Sequence, residues 1–339
     1  MKRIKIAQIG INRNSHAPEV FKTMALHPEL YELVGYALVE DERETCAAKI
    51  ETFYAGYPEV TLEEILADES IEAVTVETDE IHLLKYAQMA AEAGKHIHME
   101  KPGSQDLAAF ERLIETVRRG GKTFHIGYMY RYNPVIADVL ARARAGEFGS
   151  IWSVEAHMSR WDRREERELF GDFRGGMMFY LGCHLVDLVL QLQGMPTEII
   201  PLNCASGLDG VNTEDIGFAA LKYPNGVSVI RMAGCEVGGF RRRQLVVCGS
   251  KRTVEIMPLE EDAYDPDRKW MLYTEKTERY LDENGKTACE HSQSEPYQRY
   301  EAMLLAFARM VRGEQENPYT LEYELALFRT ILKCCGMEG

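Results

Sequence analysis

Residues 4–10, IKIAQIG, form an apolar run that ends in glycine, and this stretch decides the fold prediction. A buried strand that ends in glycine and leads into a helix is the usual first crossover of a dinucleotide-binding sheet. Strand patterns follow at 33–39, 71–76, 96–99 and 123–126, with helical patterns between the later ones. Because strands that alternate with helices are joined by right-handed crossovers, this half is predicted to be a parallel, doubly wound sheet.

The pattern changes after Pro134, where strand-like alternation replaces the strand–helix alternation. Two apolar stretches, 216–223 and 227–232, flank an Asn-Gly pair that is typical of a tight hairpin. We therefore predict an α/β protein with an N-terminal Rossmann domain over 1–123. A C-terminal α+β domain with a largely antiparallel open sheet is predicted over 124–339.

Composition excludes several classes of protein. Lys and Arg number 39 against 54 Asp and Glu, which gives a formal charge of −15. A nucleic-acid partner needs a basic face, and a membrane span needs about 18 or more apolar residues in a row. The sequence shows neither feature, so we expect neither nucleic acid nor a membrane as a partner. The eight cysteines lack metal-ligand spacing, which predicts no metal site and free thiols in the cytoplasm.

The turn after the first strand is the candidate cofactor site. A helix N-terminus at such a turn offers N–H groups to a pyrophosphate. The usual Gly-x-Gly-x-x-Gly pattern keeps only its first glycine here, because Asn12 and Ser15 replace the others. Asn adopts a left-handed backbone more easily than most residues, and Ser is small. The candidate set is Gly10, Ile11, Asn12, Arg13 and Ser15, and a turn without a ligand remains the alternative.

Glu40 ends the second strand pattern, where an acidic side chain can accept a hydrogen bond from a ribose 2′-hydroxyl. Asp41 and Glu42 follow it. Three carboxylates would repel a 2′-phosphate, so NAD is favoured over NADP. The alternative is a solvated acidic loop.

Glu100 and Lys101 end the fourth strand pattern, at the edge of the sheet that faces the ligand crevice in this architecture. An ammonium there could polarise a carbonyl or stabilise a developing alkoxide. The alternative is a turn lysine in solvent.

Four segments resemble the Gfo/Idh/MocA oxidoreductase family: QIG at 8–10, AEAGKHIHMEKP at 91–102, GYMYRYNP at 127–134, and the stretch from Gly175 to Asp187. The resemblance implies a Rossmann domain followed by an α/β domain with an open sheet. It also implies a nicotinamide cofactor, a sugar or polyol substrate, and homodimers or homotetramers.

The resemblance assigns roles to four residues. Lys101 matches the family's active-site lysine and His184 its general acid/base. Thr78 and His82 match positions near the cofactor, although helix capping is an equal alternative for them. Tyr180 stands where the family pattern has an aspartate, and this departure puts routine dehydrogenase chemistry in doubt.

Residues 177–192 are apolar except for Tyr180, His184, Asp187 and Gln191, whose spacings of 4, 3 and 4 place them along one helix face. A buried helix needs partners for such a stripe, either a wet pocket or internal hydrogen bonds. We expect His184 to remove a hydroxyl proton, Tyr180 to orient the substrate or relay the proton, and Asp187 to hold one imidazole tautomer. Gly175-Gly176 would let backbone approach a ligand.

Four further residues are candidates for substrate binding. Arg131 either holds the substrate or braces the structure, and both readings stay open. The mixed run at 160–167 predicts a solvated loop. Its alternative is a lid in which Arg160, Trp161 or Arg163 contacts the substrate.

The sequence thus predicts an NAD-dependent oxidoreductase that transfers a hydride between a sugar or polyol carbon and nicotinamide. Two alternatives remain. One is a redox-neutral enzyme, a lyase or glycosidase type that recycles bound NAD. The other is a non-catalytic homologue that binds a nucleotide or sugar.

Overall fold

The computed structural model describes residues 2–12, 14–263 and 271–339. Arg13, predicted to bind the cofactor, therefore lies outside the described residues. The elements up to residue 126 are β1 (Ile4–Ile9), α1 (Ala17–Ala25), β2 (Tyr31–Ala37), α2 (Glu42–Thr45), α3 (Ala47–Lys49), a π-helix (Ile50–Tyr54), α4 (Leu62–Ala67), β3 (Ala73–Val76), α5 (Leu83–Glu92), β4 (His96–Met99), α6 (Leu107–Gly120) and β5 (Phe124–Ile126).

The later elements include four further helical turns without α geometry. In chain order they are a 3-10 helix (Met129–Tyr132), α7 (Pro134–Arg144), β6 (Ile151–His157), α8 (Arg164–Glu168), a 3-10 helix (Leu169–Asp172), a π-helix (Met178–Gly182), α9 (Cys183–Gln193), β7 (Glu198–Pro201), a 3-10 helix (Leu208–Gly210), β8 (Ile216–Tyr223), β9 (Gly226–Ala233), β10 (Gln244–Gly249), β11 (Arg252–Ile256), β12 (Glu261–Ala263), β13 (Met271–Tyr273), β14 (Glu275–Leu281), β15 (Thr287–Gln293), α10 (Glu301–Val311) and α11 (Leu321–Cys334).

The chain divides into two compact units, Met1–Tyr128 with Tyr300–Ala326, and Met129–Arg299 with Leu327–Gly339. In the first unit the strands pair in the order β2-β1-β3-β4-β5, and every pairing is parallel. The predicted doubly wound sheet is confirmed. Because parallel strands share one carboxyl edge, the residues that follow β1, β3 and β4 meet there.

The unit boundary differs from the predicted division at 123/124. β5 pairs with β4 in the first sheet, and the segment 300–326 also belongs to the first unit. The Tyr31 hydroxyl donates to the carbonyl of Leu304 at 2.6 Å. Asn317 Nδ2 donates to the carbonyl of Phe124 at 2.8 Å. These contacts join segments far apart in the chain, which local patterns do not reveal.

The second unit is built on a mixed, mostly antiparallel sheet in the order β15-β14-β11-β10-β6-β9-β8-β7. Among these described pairings only β6 and β9 run parallel. The predicted hairpin joins β8 to β9, with Tyr223 opposite Gly226. The predicted fold class is therefore confirmed. Within the described residues, no helix has the length and apolar character that a bilayer crossing requires.

The predicted buried helix at 177–192 has two parts, the π-helix Met178–Gly182 and then α9. Gly175 and Gly176 precede it with φ of +80° and +44°. A Cβ at Gly175 would lie 2.5 Å from the Cys335 side chain, and a Cβ at Gly176 would lie 2.2 Å from the Glu214 carbonyl oxygen. The expectation that these glycines admit a ligand is wrong, because the space beside them is filled by the protein's own chain.

Candidate active site

The turn after β1 keeps a left-handed backbone although two of its three glycines are missing. Gly10 has a φ of +85°, and a Cβ there would lie 2.7 Å from the backbone nitrogen of Thr78. Asn12 has a φ of +47°, and its Nδ2 donates to the Thr78 carbonyl at 3.1 Å. Asn12 therefore supplies the left-handed conformation, as predicted, and buried Thr78 packs directly on the turn.

The backbone N–H groups of this turn bind a carboxylate of the chain itself. Glu42 Oε1 accepts from Ile11 N at 3.0 Å and from Asn12 N at 3.1 Å. Its Oε2 accepts from Val39 N at 3.0 Å. Glu42 is 3% exposed, and burial raises the pKa of its carboxyl against the lowering by these N–H groups. The turn is thus an anion cradle, and the Glu42 carboxylate is the anion that it holds.

A lysine completes this cradle. Lys49 Nζ donates to the carbonyls of Asn12 at 2.8 Å and of Ser15 at 2.9 Å. Ser15 Oγ accepts from Ala17 N at 3.1 Å. N–H donors, a nearby ammonium and a glycine without room for a Cβ fit the diphosphate of a dinucleotide in charge and shape. Such a cofactor would supply the hydride acceptor or donor.

Glu40 is an exposed residue whose carboxylate is paired. Its Oε1 accepts from Lys85 Nζ at 2.6 Å and from the Tyr86 hydroxyl at 2.7 Å. The hydrogen bond from Lys85 is the largest lowering influence on the pKa of Glu40. His82 Nδ1 lies 3.8 Å from the same oxygen, and His82 precedes α5 without a side-chain cap hydrogen bond. The ribose contact of Glu40 stays a prediction.

Lys101 is buried at the carboxyl edge of the parallel sheet. Its side chain is 9% exposed, and its Nζ lies 3.5 Å from Glu100 Oε1. The alternative of a turn lysine in solvent is therefore wrong. Burial raises the pKa of Glu100 to about 7, and the charge of Lys101 opposes that rise.

Two more buried carboxyls act on Lys101, and sequence reasoning missed both. Glu77 and Glu80 follow β3 and are buried. Burial is the largest influence that raises the pKa of each, and the charge of Lys101 lowers both. The available signal was their position, since acidic residues directly after a buried parallel strand lie at its ligand edge. Lys101 is thus a buried cation under the influence of three carboxyl groups.

In the second unit, His184 lies on the buried side of α9. It is 3% exposed, and its ring meets the Tyr130 ring edge-on, with centroids 5.3 Å apart. Tyr180 lies on the π-helical turn before α9 and is half-buried. π-helical turns are frequent at functional sites because they redirect side chains.

Asp187 is held by residues other than those the sequence suggested. Arg131 donates to both carboxylate oxygens, from Nε at 3.0 Å and from an Nη at 2.8 Å. Gln191 Nε2 donates to Asp187 Oδ2 at 2.9 Å. The Arg131 side chain has no exposed surface, which favours the bracing role over substrate contact. The predicted role of Asp187 towards His184 stays a prediction.

The run at 160–167 is only partly solvated. Arg160 pairs with Asp162 at 2.7 Å, and its guanidinium lies 5.3 Å from the Tyr180 ring centroid. Trp161 is 61% exposed, and the Arg163 side chain is 73% exposed.

The burial of Arg167 contradicts the prediction that residues 160–167 form a solvated loop. Its side chain is 2% exposed and pairs with Asp215 at 3.1 Å, and it also pairs with Asp209. Two aspartates distant in sequence neutralise its charge, and the run alone gives no sign of them.

Family models and relatives agree with this architecture. Residues 4–128 match the model described as an oxidoreductase family with an NAD-binding Rossmann fold. Residues 136–255 match the model of the GFO/IDH/MocA C-terminal domain. The chain belongs to the Gfo/Idh/MocA oxidoreductase family, as the sequence resemblance predicted.

Three proteins that are similar to this chain have the following names and degrees of similarity. An uncharacterized oxidoreductase, ORF334 of Rhizobium meliloti, is 23% identical over 90% of this chain and 89% of its own length. A D-xylose 1-dehydrogenase (NADP(+)) of Haloferax volcanii is 25% identical over 60% of this chain and 62% of its own. The solved aldose-aldose oxidoreductase of Caulobacter crescentus, complexed with glycerol, has a TM-score of 0.76 at 19% identity. That alignment covers 99% of this chain and 98% of the other.

Proposed function

We propose that this protein transfers a hydride between a hydroxyl-bearing carbon of a sugar or polyol and a nicotinamide cofactor. The observation that carries the proposal is Lys101, a buried cation at the carboxyl edge of a Rossmann sheet. A buried ammonium at that edge serves to stabilise negative charge that develops on a substrate oxygen. Family membership and a sugar dehydrogenase among the relatives support the same chemistry.

Lys101 would act as the electrostatic stabiliser. In a site shielded from water, a fixed charge interacts more strongly with a developing alkoxide than it would in solvent. The charge of this ammonium lowers the pKa of Glu77, Glu80 and Glu100 against the rise that burial causes. An ionised member of this group would hold the ammonium in place.

His184 would be the general acid/base that takes the hydroxyl proton. The edge-on contact with Tyr130 limits rotation of the imidazole ring. Tyr180 would orient the substrate, and Arg160, packed over its ring, would fix the tyrosine. Trp161 and Arg163, both exposed, are retained as substrate contacts in this proposal.

We propose NAD over NADP as the cofactor. The segment 40–42 carries three carboxylates, and Glu42 contacts the turn directly. A 2′-phosphate near these groups would meet like charge. Since at least two relatives are named for NADP(+), both cofactors belong in the test.

A homologue that binds a nucleotide without turnover is the second candidate. It is favoured by the altered turn, in which Asn12 and Ser15 replace two glycines, and by Tyr180 in place of the family's aspartate. The assembly that we propose is a homodimer or homotetramer in the cytoplasm, which sedimentation and fractionation would measure.

The test is turnover of a panel of aldoses and polyols with NAD and with NADP, for the parent and for Lys101→Met. We expect the variant to lose about 10²- to 10³-fold in kcat, as for removal of one oxyanion donor. Lys122→Met, at an exposed lysine of the same unit, is the control and should match the parent. Cofactor binding by the parent without turnover of any substrate would contradict the proposal and favour the second candidate.

A further inference from the structure

We propose that Glu42 is a built-in competitor for the dinucleotide, whose carboxylate must leave the turn after β1 before the cofactor's diphosphate can bind. This inference rests on the proposed function, because it assumes that the turn serves a dinucleotide. It assigns to Glu42 control of cofactor affinity.

The first argument is the geometry of the carboxylate. Among the described residues, the consecutive N–H groups of Ile11 and Asn12 both donate to it. Converging backbone N–H groups at a strand–helix turn are the feature that binds phosphate in this fold. An N–H that donates to Glu42 at 3.0 Å is not available to a phosphate oxygen. Ligand and side chain therefore exclude each other at these two donors.

The second argument is that the neighbouring donors of the turn are also satisfied from within. Asn14 N donates to Asn12 Oδ1 at 2.7 Å, and Ala17 N donates to Ser15 Oγ. Glu19 N and Val20 N donate to the carbonyl of His16. Glu42 is the only charged acceptor among those of these described donors, so a diphosphate that binds the N–H groups of Ile11 and Asn12 must displace it.

The third argument is that the surroundings favour an anion after Glu42 leaves. Lys49 Nζ lies against the carbonyls of Asn12 and Ser15. Its ammonium stays beside the turn because it is held by carbonyls rather than by Glu42. Glu42 itself begins the four-residue helix α2, so its withdrawal requires only a short segment to rearrange.

Competition of this kind has a signature that a purely structural role lacks. An apparent dissociation constant rises by the inverse of the fraction of protein that is competent to bind. Removing Glu42 should therefore strengthen cofactor binding, although it weakens the ligand-free protein by leaving N–H groups without a partner. If Glu42 had only a structural role, its removal would weaken both cofactor binding and the stability of the ligand-free protein.

The experiment is a fluorescence titration with NADH, together with thermal melts with and without NADH, for the parent, Glu42→Ala and Glu42→Gln. Glu44→Gln, at an exposed position of α2, is the matched control. We expect the Kd for NADH to fall about tenfold in Glu42→Ala. Glu42→Gln, which keeps an acceptor oxygen but loses the charge, should lie between Glu42→Ala and the parent. The melting temperature without NADH should fall in both Glu42 variants, while the rise on adding NADH should grow.

An unchanged Kd in both Glu42 variants would overturn the inference and leave the proposed function standing. A weaker Kd would also overturn it, since Glu42 would then be a ligand of the cofactor. If Glu42→Ala does not fold, the inference is tested by comparing the Kd for NADH of Glu42→Gln with that of Glu44→Gln. If neither the parent nor any variant binds NADH, and a parallel titration with NADPH also shows no binding, the proposed function fails together with the inference.

Discussion

Arg131 and Asp187 form a two-pronged ion pair inside the second unit, with N···O distances of 3.0 and 2.8 Å and almost no exposed surface on either side chain. The pair joins the 3-10 helix Met129–Tyr132 to α9. Because α9 also carries His184, the pair fixes the helix on which the proposed acid/base lies.

We predict that Arg131→Met lowers the free energy of unfolding by about 3 to 5 kcal/mol, since it leaves a buried carboxylate without its positively charged partner. Urea denaturation measures this change. The control is Glu115→Gln, which breaks the exposed pair with Arg118 and should cost less than about 1 kcal/mol. An Arg131→Met protein with parental stability and a raised KM would instead identify Arg131 as a substrate contact.

Gly10 and Gly56 provide a matched pair for the turn after β1. Their φ angles are +85° and +89°, but only at Gly10 would an added Cβ meet other atoms, with Thr78 at 2.7 Å and nothing within 4 Å of Gly56. We predict that Gly56→Ala costs about 1 to 2 kcal/mol, from the left-handed backbone alone. Gly10→Ala should cost about 1 to 3 kcal/mol more, because its Cβ overpacks the turn. Equal losses of unfolding free energy in the two variants would show that the turn can rearrange around Thr78.

The raised pKa of Glu100 leads us to predict that the stability of the protein depends on pH. Burial raises its pKa from 4.5 to about 7, so the folded state holds the proton more tightly than the unfolded state does. The stability that this proton contributes is complete below about pH 4.5 and is lost as the pH rises through about 7. Between about pH 5 and about pH 8 the free energy of unfolding should therefore fall as Glu100 loses this proton.

The check is denaturation at both pH values for the parent, Glu100→Gln and the control Glu63→Gln, an exposed carboxyl of the same unit. We expect the pH dependence to be reduced in Glu100→Gln only. A parental pH dependence in Glu100→Gln would assign the effect to another group.

Local patterns predicted most of the elements. β4 and β8 begin and end where the sequence placed them. Their apolar periodicity is strong, and their ends carry turn residues or charges. Lys101 could also be placed at the ligand edge of the sheet from the sequence, because it follows β4 closely.

The features that sequence reasoning missed depend on contacts between distant segments. Glu42 differs from Asp41 and Glu44 only in the backbone path that brings it to Ile11 and Asn12. Arg167 looks like its charged neighbours, yet Asp215 and Asp209 bury it. Gly175 and Gly176 suggested room for a ligand, but Cys335 and Glu214 lie where a Cβ of these residues would be. Periodicity carries no information about which distant side chain fills a space.

The central claim is a hydride transfer in which His184 handles the hydroxyl proton. The direct measurement uses a substrate found on the sugar and polyol panel, deuterated at the reacting carbon, with NAD and either the parent or His184→Gln. Mass spectrometry follows deuterium into the reduced cofactor. We predict deuterated NADH from the parent and a rate about 10²- to 10⁴-fold lower from His184→Gln, the range for loss of a general acid/base. Turnover by the parent without deuterium in the cofactor, or a parental rate in His184→Gln, would contradict the claim.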